Sequence, residues 1–125
     1  MMEFLSAYTG LGSIVLSVVL GVVFVVHGWP KLRNPGGIAS ALGLPKVAGL
    51  LHGFVEFAGG IVLVLSPFIY LGQLFDWSAI LLAVIMVGAT YFKAVRWQIG
   101  FNGGNKMGWE FDVVILGGLL ALLLG

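Results

Sequence analysis

The chain has 125 residues, of which 60% are hydrophobic and 9% charged, with no cysteine and a formal net charge of +1. Soluble domains average roughly 25% charged residues, and a chain this short cannot bury so much apolar surface by itself, so a soluble monomer is excluded. The lack of cysteine excludes disulfides, zinc–thiolate sites, iron–sulfur clusters and c-type haem attachment, and so small a net charge leaves no footprint for nucleic acid.

A membrane-crossing helix needs about 20 mostly apolar residues. Residues 4–30 contain no Asp, Glu, Lys or Arg, which predicts a first span over about 7–27. Met1, Met2 and Glu3 supply no positively charged leader, so this span is expected to be retained. A basic connection rich in proline and glycine follows. Within it Ile38, Ala39, Ala41, Leu42 and Leu44 are too apolar for a plain loop, which predicts a short interfacial or re-entrant helix. The second span runs over about 47–65 and is stopped by Ser66-Pro67. The third covers about 77–92, a polar, glycine-rich stretch follows it, and the fourth covers about 109–125. All four prolines are expected outside the spans, where helix geometry prefers them. The fold class is all-α: one integral membrane domain over 1–125, an antiparallel four-helix bundle with a short helix between its first two spans.

Lys31, Arg33, Lys46, Lys93, Arg96 and Lys106 all fall in the first and third connections. The positive-inside rule then predicts a multi-pass cell-membrane protein with both termini outside and both basic connections cytoplasmic. Trp29, Trp77, Trp97 and Trp109 sit near span ends, where aromatic belts form. Small residues four apart (Ser13, Ser17 and Gly21; Gly49 and Gly53; Gly117, Ala121 and Gly125) predict close helix contacts.

Glu56, in the second span, is the central residue. An ionisable acid at the bilayer centre costs roughly 2.5–3.5 kcal/mol on insertion scales, and such residues face the bundle interior with a partner. A proton-handling role and a structural hydrogen bond both fit it. His52 lies one helical turn earlier, on the same face. At the same end the first span closes with His27-Gly28-Trp29-Pro30-Lys31, the third with Tyr91, Lys93 and Arg96, and the fourth opens with Glu110 and Asp112. These ends meet in an antiparallel bundle, so a polar cluster is expected in the inner half of the membrane. Lys93, Arg96 and Lys106 taken singly read as ordinary headgroup-level charges. No metal site is expected: the Glu-x-x-His spacing of di-iron bundles is missing. The two histidines, His27 and His52, are placed about 7 Å apart in depth by the predicted spans.

His27-Gly28-Trp29-Pro30-Lys31-Leu32 resembles the H-G-x-x-K-L that closes the first helix in the DoxX family. Leu42-Gly43-Leu44-Pro45 resembles its L-G-L-P, Glu56-Phe57-Ala58-Gly59-Gly60 its E-x-x-G-G, and Trp109-Glu110 its acidic start to the fourth helix. The order and spacing of these motifs cover nearly the whole chain. The resemblance implies a four-helix membrane protein, with some relatives similar to subunits of quinone-linked oxidoreductases and others to proteins of oxidative-stress complexes. Small multidrug transporters carry their essential glutamate in the first helix, and fluoride channels insert in both orientations; this chain departs from both.

On that resemblance the expected function is an accessory or quinone-interacting subunit of a membrane redox complex. Glu56 and His52 exchange protons with a quinone, Glu110 or Asp112 relay them, and Trp29 or Phe57 line the ring. His27, Lys31 and Tyr91 complete the expected ligand-binding set. Quinone is the one cofactor expected, with none bound covalently. Expected partners are the bilayer, a quinone or lipid ligand, a redox subunit and further copies of the chain. The alternative is a non-enzymatic lipid- or partner-binding assembly protein, with a small transporter as a weaker third reading.

Overall fold

The structure, a computed structural model, describes residues 9–103 and 108–125. Among the described residues every regular element is helical, with no strand. In chain order they form α1 (Thr9–Arg33), α2 (Pro35–Leu42), α3 (Lys46–Leu65), α4 (Gln73–Tyr91), a π-helical turn (Phe92–Arg96) and α5 (Trp109–Leu124). α1, α3 and α4 with its π turn are long and apolar enough to cross a membrane. α5 has 16 residues, about 24 Å at 1.5 Å per residue, just short of a full span. The four expected bundle helices are present, with the short α2 between the first two.

α1 extends six residues beyond the predicted end and carries Pro30 inside its last turn, which corrects the expectation that every proline lies outside a helix. One missing N–H costs little so near the terminus: Asn34 N–H still donates to Pro30 O at 2.9 Å, closing the final turn. The other prolines sit where expected, Pro35 at the start of α2 and Pro45 as the N-cap of α3. α2 ends on Gly43, whose φ of 70° is left-handed, with Leu44 N–H donating to Ala39 O at 2.9 Å. Glycine meets that conformation without steric cost.

α1 and α3 pack backbone against backbone. A Cβ on Gly21 would stand 2.6 Å from Gly60 O, and one on Gly28 2.6 Å from Phe57 N. A Cβ on Gly53 would meet the Lys31 side chain and Leu32 N, while Gly49 lies directly against Pro35 O of α2. The Gly21–Gly60 and Gly28–Gly53 pairings fix an antiparallel register, and buried Ser17 Oγ extends it by donating to Leu63 O at 2.6 Å. This register puts His27 and His52 within about 3 Å of one depth. The expected 7 Å offset is corrected, because α1 continues past His27 instead of ending there.

The small residues of the fourth span behave otherwise. Gly117, Ala121 and Gly125 are exposed, and a Cβ on Gly117 would meet nothing within 4 Å. α5 instead buries Asp112, Ile115 and Leu119. With Leu20, Phe24, Leu63, Leu82 and Met86, the last two of these form the apolar core.

Candidate functional site

The buried face of every long helix ends in ionisable side chains at one end of the bundle. On α1 the face runs Leu20, Phe24, His27, Lys31; on α3 it runs Leu63, Gly59 and Gly60, Glu56, His52. On α4 and its π turn it runs Leu82, Met86, Ala89, Lys93, and on α5 Leu119, Ile115, Asp112. These spacings of three and four residues define one helical face each. Where the four faces converge they line a cavity of about 240 Å³. His27, Lys31, His52, Glu56, Lys93 and Asp112 contribute its polar groups. Phe24, Ile85, Met86, Phe92, Phe111 and Trp97 are among its apolar walls, and Ile38 and Leu42 of α2 add to them.

Two ion pairs hold the site. Lys31 Nζ donates to both oxygens of Glu56, at 2.8 Å and 2.7 Å. Glu56 is only 2% exposed, and Lys31 retains 23%. Both partners belong to the glycine seam: Gly28 lies against Glu56 Cβ and Phe57 N, and Gly53 against Lys31. Close approach of the backbones is what brings the ammonium to the carboxylate. The second pair joins α5 to the π turn, with Lys93 Nζ 2.9 Å from Asp112 Oδ2. That approach is off the hydrogen-bonding line, and among the described residues no donor bonds Asp112 Oδ2. His52 Nδ1 stands 3.7 Å from Glu56 Oε1, beyond hydrogen-bond reach, and is likewise unpartnered among the described residues. The His27 ring packs against Phe111, with centroids 5.5 Å apart.

Of the nine residues singled out in the sequence, the structure brings five to the cavity: His27, Lys31, His52, Glu56 and Asp112. The other four lie off the buried faces. Trp29 is 51% exposed and packs at a tilt of 41° against Phe57 outside the cavity, with centroids 5.7 Å apart. Tyr91 is half exposed and meets Phe92 edge-on. Glu110 is exposed, and its backbone N–H donates to Phe101 O. Lys93, read as a headgroup charge, is instead a cavity residue paired with Asp112. Its place eleven residues after Leu82 and seven after Met86 is the sequence signal for that position. Arg96 does lie at the surface, its guanidinium 5.5 Å from the Phe92 ring centroid. Lys106 falls outside the described residues.

The DoxX family matches residues 12–94. A protein of Bacillus subtilis (strain 168) described as "Putative oxidoreductase CatD" is 26% identical over 109 residues, covering 85% of this chain and 72% of its own length. No solved structure matches the chain.

Proposed function

This chain belongs to the DoxX family, and from that premise we propose that it serves as a quinone-interacting accessory subunit of a membrane redox complex. The observation that carries the reading is the cavity. Its apolar and aromatic walls enclose two lysines, two carboxylates and two histidines, a set with no net charge when the histidines are neutral. Such a set suits a ring that is uncharged in both oxidation states better than it suits an anion or a cation. Lys93 has protons to donate, Asp112 has lone pairs to accept with, and His52 has a free Nδ1, so the residues fit a head group bearing two oxygens. A bound quinone supplies two-electron, two-proton redox chemistry. His52 holds a proton at Nδ1 or receives one there, with the Glu56 carboxylate one turn away. The description of the Bacillus subtilis relative as a "Putative oxidoreductase" points the same way, and a partner subunit is the proposed source of electrons.

The proposed setting is the cell membrane, both termini outside, with the cavity at the cytoplasmic end. The support for this is the six Lys and Arg residues, all in the first and third connections or at the helix ends they join. Mass spectrometry of molecules that co-purify with the protein in mild detergent tests the function. A quinone retained by the parent and lost from His52→Ala is the expected result. A colourless protein carrying phospholipid alone favours the second reading, a lipid- or partner-binding assembly protein. One observation supports that alternative: the exposed face of Gly117 and Ala121 on α5, continued by Gly125 just past its end, smooth enough for another helix or a second copy to approach.

A further inference from the structure

The two ion pairs of the cavity differ in what they leave available. Lys31 and Glu56 are closed on each other, since both carboxylate oxygens accept from the same ammonium at 2.7–2.8 Å. That pair ties α1 to α3 and offers a ligand little. Lys93 and Asp112 stand as close, 2.9 Å, yet without a hydrogen bond to Asp112 Oδ2 among the described residues. Asp112 is 3% exposed, so bulk water does not serve it. Asp112 Oδ2 is charge-paired with Lys93 yet keeps its lone pairs free for a hydrogen-bond donor, and the place from which a donor can reach it is the cavity it lines.

We infer that Lys93 and Asp112 form the ligand-recognition pair, that the group they recognise is a hydroxyl on an aromatic ring, and that the cavity therefore selects the reduced, diol form of its ligand. The inference rests on the quinone reading and deepens it. A hydroxyl both donates and accepts, so one placed at the pair gives its proton to Asp112 and takes one hydrogen bond from Lys93. A carbonyl only accepts; it engages Lys93 and leaves the free lone pairs of Asp112 Oδ2 unused. The walls fit a ring: Phe111 lies beside the pair, with Lys93 Nζ 6.0 Å from its centroid, and Phe92 and Trp97 line the same space. A site that hydrogen-bonds a hydroxyl discriminates strongly against an analogue lacking it, because its polar groups are otherwise left unpaired.

The test is anaerobic calorimetric titration of the full chain in detergent with a decyl-tailed benzoquinone, its quinol and the dimethyl ether of that quinol. The expected result is a quinol Kd at least tenfold below that of the quinone, with the dimethyl ether no tighter than the quinone. Asp112→Asn, whose amide donates as well as accepts, is expected to bring the quinol-to-quinone ratio within threefold, chiefly by weakening the quinol. Equal binding of quinone and quinol, or tight binding of the ether, overturns the hydroxyl assignment while leaving the cavity a quinone site. A tenfold preference that survives Asp112→Asn overturns the assignment to this pair. Binding of none of the three overturns the quinone reading and this inference with it. The ether comparison needs no variant, so the outcome does not depend on how well Asp112→Asn folds.

Discussion

Glu56 is where the sequence reads most directly as physics, and the structure supplies its partner. Removing one member of a buried pair costs more than the pair itself contributes, because the remaining charge is left without compensation. Lys31 keeps 23% exposure and can extend toward the membrane surface, which moderates the loss. Glu56→Ala is therefore expected to lower stability by about 1–3 kcal/mol, measured as thermal unfolding in detergent. Glu56→Gln keeps the shape and one acceptor, so its loss is expected to be smaller. If Glu56→Ala unfolds like the parent, the Lys31 bridge does not hold α1 to α3. The glycines allow a sharper comparison. Gly21→Ala sets a Cβ against Gly60 O and Val64 N, neither of which is the end of a flexible side chain. It is expected to cost about 3 kcal/mol, the upper end of ordinary overpacking. Gly88→Ala and Gly117→Ala meet nothing within 4 Å and are expected to leave the melting temperature unchanged or raised.

At the scale of the element, α2 is the least ordinary part of the chain. It is a helix of eight residues, too short to persist alone. It is held by Pro35 against Gly49, by buried Ala39 and by the left-handed Gly43. Amide exchange in lipid is expected to be slow over residues 39–44 and to accelerate in Gly43→Ala, whose Cβ makes the left-handed turn costly by about 1–2 kcal/mol. Uniformly fast exchange over this stretch in the parent would show that α2 does not form. The long helices are legible because each is a long apolar run with few charges, and α2 because its apolar residues are bracketed by Gly36-Gly37 and Pro45. The end of α1 was not, since Pro30 looks like a stop while a proline in a last turn removes a single hydrogen bond. Periodicity separates cavity residues from the rest better than residue type does. Asp112 continues the Ile115–Leu119 face while Glu110 does not, and Lys93 continues the Leu82–Met86 face while Tyr91 does not. Charge near a span end suggested headgroups for Lys93, and only its phase on the helix tells otherwise. The misalignment of Lys93 with Asp112 is a tertiary property, visible in no local pattern.

The whole molecule divides its polar groups unevenly along the bundle axis. Among the described residues, one end holds both ion pairs and both histidines; the other has a second cavity of about 380 Å³ whose polar lining includes Ser13, Ser17, Ser66 and Tyr70 but no charged side chain. Orientation in the membrane thus decides which compartment can exchange protons with the charged end. The chain has no cysteine, so single cysteines report topology cleanly. In intact cells an impermeant thiol reagent is expected to label Tyr70→Cys, at a position 97% exposed in the second connection. Ser40→Cys is expected to react only after the membrane is opened. The reverse pattern would turn the charged cavity to the outside.

The glycine seam between α1 and α3 also bears on how the protein is made. Its contacts, from Ser17 with Leu63 through Gly21 with Gly60 to Lys31 with Glu56, lie within residues 17–63. A chain emerging from the ribosome at roughly 5–20 residues per second presents this hairpin in full before α4 has emerged. Glu56 can therefore enter the hydrocarbon already matched to Lys31, its charge compensated before the remaining helices arrive. The later half of the chain then assembles upon a template instead of searching for one, and the cavity closes last, when Asp112 reaches the π turn.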